Sequence, residues 1–146
     1  MLVKNKKAQF EYDIKSTVSA GIVLHGYEVK SLRLKHASLT GSFVKVIGDE
    51  IFLVNAQINL YPFATVENYD PKRTRKLLLH KKEIYELKES SSQKGWALVP
   101  LQIFAQGRQI KVEIGVGRGK KEFEKRAVIK ERDVKRDMDR EMKDRR

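Results

Sequence analysis

Residues 118–146 cannot contribute to a core, and this confines the fold to what precedes them. The segment holds 13 Lys or Arg and 8 Asp or Glu among its 29 residues, with one glycine, no proline and little apolar mass. Such a stretch cannot bury enough apolar surface to offset the entropy of ordering itself. Any packed body must therefore come from residues 1–117, long enough for a real core. The expected organisation is a single domain, 1–117, followed by a basic tail, 118–146, disordered when free.

Both parts are basic. The body carries +7 and the tail +5 of the chain's net +12, and the pI is about 9.9. The bland explanation is solubility; the more specific one is an anionic partner, with nucleic acid the first candidate. No cysteine is present, which excludes thiol catalysis, disulfides and zinc–thiolate sites and suits a reducing cytosol. The charged start, Met1-Leu2-Val3-Lys4-Asn5-Lys6-Lys7, lacks an apolar core stretch and is not that of a signal peptide, and no apolar run is long enough to span a membrane. A cytoplasmic protein without a membrane partner is expected.

Along the body, Phe10, Tyr12 and Ile14 alternate with Glu11, Asp13 and Lys15, which predicts a strand over 9–18. It continues through Ile22-Val23-Leu24, with a bulge or bend at Ala20-Gly21. Over 25–35 the period changes: Val29, Leu32 and His36 fall at i, i+3 and i+7, with Glu28, Lys30, Arg33 and Lys35 on the remaining arc. This is a short amphipathic helix. A hairpin follows, 42–47 and 51–58, joined at Gly48-Asp49-Glu50. Asp70-Pro71 marks a turn or helix start. Ile84 and Leu87 indicate a helix over 81–90, and two strands, 97–104 and 109–116, meet at Gln106-Gly107-Arg108. Strand, helix, hairpin, helix, hairpin predicts a mainly β protein: an OB-fold-like antiparallel barrel with about three short helices. Periodicity supports a small mixed barrel without selecting OB topology.

Few residues point to chemistry. Gly115-Val116-Gly117-Arg118-Gly119-Lys120-Lys121 resembles a phosphate loop but fails the Walker pattern, with Ile114 where glycine is needed and Lys121 where Ser or Thr is needed. It reads as a glycine-loosened exit from the last strand. His25 and Glu28, three apart on a helix, could perform acid–base work, but nothing completes a site, and a solvated polar face is the simpler reading. No enzyme activity, metal or cofactor is expected.

The nucleic-acid signals are stronger. Lys72-Arg73-Thr74-Arg75-Lys76 is a dense basic run, readable as a solvated turn or as a phosphate clamp, since guanidinium forks suit phosphate oxygens. Phe10, Tyr12 and Tyr27 lie among charge and belong mostly to the core. Phe123 lies in the tail, where it could stack on a base (about 1–3 kcal/mol) or dock the tail on the body. The tail has a helical register: Val134, Met138 and Met142 recur every four residues. Glu131 before Lys135, Asp139 before Lys143 and Glu141 before Arg145 are favourable i,i+4 pairs of about 0.2–0.5 kcal/mol each. One thin apolar stripe will not hold a helix in water, so helicity is expected in an anionic environment.

Several blocks, in order along nearly the whole chain, carry a resemblance. They are Asn5-Lys6-Lys7-Ala8, Ala20-Gly21-Ile22-Val23-Leu24, and Glu28-Val29-Lys30-Ser31-Leu32-Arg33. Then come Asp70-Pro71 with Arg73-Thr74-Arg75-Lys76-Leu77-Leu78-Leu79, Leu98-Val99-Pro100-Leu101 and Gly119-Lys120-Lys121. In these the chain resembles the small protein B (SsrA-binding protein) family, partner of transfer-messenger RNA. The resemblance implies an OB-like barrel that binds the tRNA-like domain of that RNA. With elongation factor Tu and GTP it delivers the RNA to stalled ribosomes, rescuing them and tagging the unfinished peptide. The tail would occupy the empty messenger channel and decoding centre of the small subunit and turn helical there. The protein would act as a monomer and catalyse nothing.

Carried over by position, Asn5 and Leu78 match the family's RNA-binding face; its third position, usually Glu, is Ser19 here. Lys6, Lys7, Lys30, Arg73, Arg75 and Lys76 are the expected phosphate contacts. Lys120, Lys121, Phe123, Glu124, Lys125, Arg126, Lys130 and Arg132 are the expected ribosomal contacts. The family pattern after Gly-Lys-Lys is typically a His or other aromatic, then Asp-Lys-Arg; here it is Phe123-Glu124-Lys125-Arg126, and Phe123 cannot donate a hydrogen bond as His would. The competing reading is a general single-strand-binding OB-fold protein.

Overall fold

The computed structural model describes residues 1–120. Expectations for Lys121, Phe123, Glu124, Lys125, Arg126, Lys130 and Arg132, and for the tail's helicity or disorder, lie outside the described residues.

In chain order the elements are β1 (Val3–Lys4), α1 (Lys6–Glu11), β2 (Tyr12–Ile22), α2 (Gly26–Arg33), β3 (Ala37–Ser38), β4 (Phe43–Ile47) and β5 (Glu50–Val54). There follow β6 (Gln57–Ile58), β7 (Arg75–Leu78), α3 (Lys81–Ser91), β8 (Trp96–Gln106) and β9 (Gln109–Gly119). Seven strands form one antiparallel sheet in the order β1-β8-β9-β2-β7-β5-β4, and β3 pairs with β6 in a small ribbon.

The sheet is mainly β and antiparallel as expected, but it is open; its ladder does not close into a barrel. The edge of β8 away from β9 is partly occupied by the N-terminal segment. The carbonyls of Ile103 and Leu101 accept backbone N–H groups from Leu2 and Asn5, and the Pro100 carbonyl accepts Asn5 Nδ2 at 2.8 Å. β4 lies against β8 without pairing with it. The sheet wraps a core that includes Leu32, Leu39, Ile51, Leu53, Ile58, Leu77, Ile103, Val112 and Ile114, all essentially inaccessible.

The β4–β5 and β8–β9 hairpins turn at Gly48 (φ 63°) and Gly107 (φ 62°), left-handed values that glycine adopts without Cβ strain. The start of the expected first strand is instead helix. Asn5 caps α1 by accepting the Ala8 N–H on its side chain, and Ala8 packs on Val99 and Leu101. The bulge of β2 lies between Ile14 and Ser16, while Ala20 and Gly21 pair regularly with β9. α2 ends before His36, which is exposed. Lys35 takes φ 61°, with Lys35 N–H on Leu32 O and His36 N–H on Ser31 O, the Schellman arrangement that stops a helix.

β9 is longer than expected and its glycines are structural. Gly115 and Gly117 are buried inside the strand, and a Cβ on Gly117 would lie 2.7 Å from the Asp13 carbonyl oxygen. The ladder runs on to Gly119 opposite Tyr12, so this stretch is strand rather than a loosened exit, with tight packing at Gly115 and Gly117.

Candidate nucleic-acid interface

Strand alternation divides the main sheet into an inward and an outward face. Ala20, Val112, Ile114, Ile103 and Leu77 point into the core. Their neighbours point outward, and the register lines them up across strands. Lys4 lies opposite Gln102, Gln102 opposite Glu113, and Glu113 opposite Ser19. Two residues along, Phe104 lies opposite Lys111, Lys111 opposite Gly21, and Gly21 opposite Leu78.

Ser19, Gly21, Leu78, His80, Glu83 and Lys111 line a shallow depression of about 400 Å³ on this face. Leu78 is 53% exposed there. An exposed leucine beside a half-buried lysine and a bare glycine backbone provides a flat apolar spot with a cation at its rim. Such a spot can take a sugar or base edge while the ammonium meets a phosphate. Gln102 donates to Glu113 at 3.1 Å, which orients that carboxylate beside Ser19.

Ser19 and Leu78 thus share one depression. Asn5 does not line it: its side chain is buried at the head of α1, bonded to Pro100 and Ala8. Lys6 and Lys7 are exposed on α1, Lys7 with Glu11 at 3.6 Å. Lys76 is exposed on β7, 3.7 Å from Glu50; exposed pairs of this kind contribute little and leave the ammonium available. Lys30 is exposed on α2, its Nζ 5.4 Å from the Tyr61 ring centroid. Lys120 is tied to α1, its backbone N–H on Glu11 O and its Nζ on Gln9 O.

Arg75 departs from expectation. Its side chain is fully buried, so it is out of reach of an RNA phosphate. It donates through Nε to Glu28 Oε2 at 2.7 Å and to the carbonyls of Ala56, Arg73 and Pro71. Arg73 is 27% exposed and also grips the Glu28 carboxylate. The expected clamp therefore divides: Arg75 braces the fold, Arg73 is shared between Glu28 and solvent, and Lys76 faces outward.

Glu28 is likewise not on a solvated face. It is inaccessible and accepts from both arginines, from Tyr69 Oη at 3.2 Å and from the His25 N–H at 2.9 Å. Burial opposes its ionisation, but the hydrogen bonds of Arg73, the His25 N–H and Arg75 outweigh that cost and hold its pKa below the ordinary value. Burial and the neighbouring Glu28 charge push the Tyr69 hydroxyl up. His25 contributes its backbone to Glu28, and its ring stacks on Tyr27, so the two do not form an acid–base pair.

Sequence reasoning missed Lys111, Lys4 and Glu113. The alternation of β9 could have found the first and last, since both are out of phase with Val112 and Ile114. Among the described residues no helix is long and apolar enough to cross a membrane, and no His, Asp and Glu cluster could hold a metal.

A family model described as SmpB protein matches residues 2–144. A curated SsrA-binding protein of Chloroflexus aurantiacus is 49% identical over 144 residues, covering 98% of this chain and 90% of its own length. That of Staphylococcus epidermidis is 46% identical, covering 97% and 91%, and that of Treponema denticola 46%, covering 98% and 93%. A chain from a solved structure described as "tmRNA-SmpB: a journey to the center of the bacterial ribosome" superposes with a TM-score of 0.70. It is 45% identical and covers 82% of this chain and 84% of that one. On this similarity along nearly its whole length, the chain belongs to the SmpB protein family.

Proposed function

We propose that this chain is an RNA-binding adaptor that binds the tRNA-like part of transfer-messenger RNA and brings it to stalled ribosomes. The observation that carries the reading is the likeness, over 82% of this chain, to a chain from a tmRNA–SmpB ribosome structure. The outward sheet face adds a physical basis, because Lys111 lines the Ser19–Leu78 depression and Lys4 and Lys76 are exposed on strands of the same sheet. In this reading Lys6, Lys7, Lys30, Lys76, Lys111 and the exposed part of Arg73 meet phosphates, while Ser19 and Leu78 contact the RNA between them. Elongation factor Tu with GTP joins through the RNA. Lys120, Lys121, Phe123, Glu124, Lys125, Arg126, Lys130 and Arg132 serve the messenger channel and decoding centre. The protein works in the cytoplasm, as an adaptor without chemistry of its own.

Competition binding at one fixed salt concentration tests this, because counterion release dominates affinity. The full chain should prefer a folded tRNA-like RNA to an unstructured oligomer of equal length; equal affinities would favour a general single-strand binder. A chain ending before Glu122 should keep RNA binding and lose peptide tagging.

A further inference from the structure

Phe63 is 83% exposed, the most exposed large hydrophobic side chain among the described residues. Its ring meets the Tyr61 ring edge-on at 5.5 Å, and Lys30 of α2 stands over Tyr61 at 5.4 Å. The loop that carries both rings is held at each end. Asn59 donates its N–H to His36 O and accepts Ser31 Oγ, and Tyr69 Oη donates to Ile58 O at 2.7 Å. A turn closed by Ala64 N–H on Tyr61 O at 2.9 Å sets the two rings side by side. The loop that presents the rings is thus tied to the body at both ends.

The surroundings select the ligand. Lys30 and Arg33 are exposed one helical turn apart on α2, and Lys72 is exposed beyond the loop. Asp70 accepts the Lys72 N–H and, with Glu67, gives the loop two acids. An exposed π-face with the Lys30 ammonium beside it suits an anion that carries its own flat ring. β2 and β7, whose outward residues form the sheet-face depression, are both connected to α2, which carries Lys30. β2 runs into α2, and Arg73, just before β7, reaches α2 through Glu28.

We propose that Phe63 and Tyr61, with Lys30, form a stacking site for an unpaired base of the same RNA that the sheet face grips. The proposal rests on the RNA-binding reading above. Phe63 stacks on the base, Tyr61 buttresses Phe63, and Lys30 neutralises the adjoining phosphate.

The test uses the full chain and two probes at one salt concentration: a tRNA-like RNA with an unpaired loop, and a fully paired duplex of equal length. Phe63→Ala should weaken loop-RNA binding at least five-fold, leave duplex binding and the salt slope unchanged, and leave thermal unfolding unchanged because the ring is exposed. Phe63→Trp should retain binding. A Phe63→Ala chain that binds loop RNA like wild type overturns the proposal, as does an equal loss for both probes. Loss of ribosome association with loop-RNA affinity intact would reassign the surface to the ribosome. If the wild-type chain shows no preference for tRNA-like RNA, the RNA-delivery reading fails, a result separate from any effect of Phe63.

Discussion

Arg75 and Glu28 form an ion pair in which both side chains are fully buried, with Nη2 2.6 Å from Oε2. It joins the start of β7 to α2 across 47 positions of sequence. Removing one partner leaves an uncompensated buried charge. Arg75→Ala or Glu28→Ala should therefore cost about 3–5 kcal/mol, measured as a fall in the urea midpoint at unchanged m-value. A loss below about 1 kcal/mol would show that water enters the site and screens the remaining charge.

The same carboxylate gives folding a pH dependence. The Glu28 pKa is lowered from 4.5 in the folded protein, so the folded state binds its proton less readily than the unfolded state does. The stabilisation is present above the ordinary glutamate value of 4.5 and is lost as pH falls through the lower folded value. Thermal unfolding from pH 7 to pH 3 should show a drop that is smaller in Glu28→Gln. An identical slope in the two proteins would assign the acid sensitivity to other carboxylates.

Gly117 and Gly119 lie two residues apart on β9 and differ in surroundings. A Cβ at Gly117 meets the Asp13 carbonyl oxygen at 2.7 Å, whereas one at Gly119 meets nothing within 4 Å. Gly117→Ala should destabilise by about 1–3 kcal/mol through overpacking, and Gly119→Ala should be close to neutral. Equal unfolding midpoints for the two variants would mean that the β2–β9 ladder is looser than its register indicates.

On the outward face, Lys111→Ala should weaken RNA binding and flatten the dependence of log affinity on log salt by about 0.7–0.9, one phosphate's worth. Arg73→Ala should remove no more than the same amount, because Glu28 holds part of its charge. If Arg75 also met a phosphate, the Arg73 and Arg75 double variant would lose about two units; its burial limits the loss to one. Affinities measured across a salt series, with folding checked first, distinguish these outcomes.

Much of the architecture is written locally. α2 and α3 carry helical spacing at Val29, Leu32, Ile84 and Leu87, and the two hairpins turn at glycines with left-handed φ. These features depend on neighbours a few residues away, so a single chain reveals them. α1 does not. Phe10, Tyr12 and Ile14 continue an alternation that belongs to β2, and the helix depends on Asn5 binding Pro100 and on Ala8 packing against Val99 and Leu101. All three partners lie more than 90 residues away.

The site divides along the same line. Basicity and the ordered blocks around Asn5, Glu28, Arg73 and Gly119 were enough to indicate RNA and the family, because charge and residue order are properties of the chain itself. Which cations face outward was decided by packing. Lys72-Arg73-Thr74-Arg75-Lys76 has no internal mark separating a buried arginine from an exposed lysine. The strand's two-residue period turns Arg75 inward, and Glu28, Tyr69 and three carbonyls waiting there can satisfy a guanidinium. A charge enters a core when distant partners meet it, and such partners come together through tertiary structure.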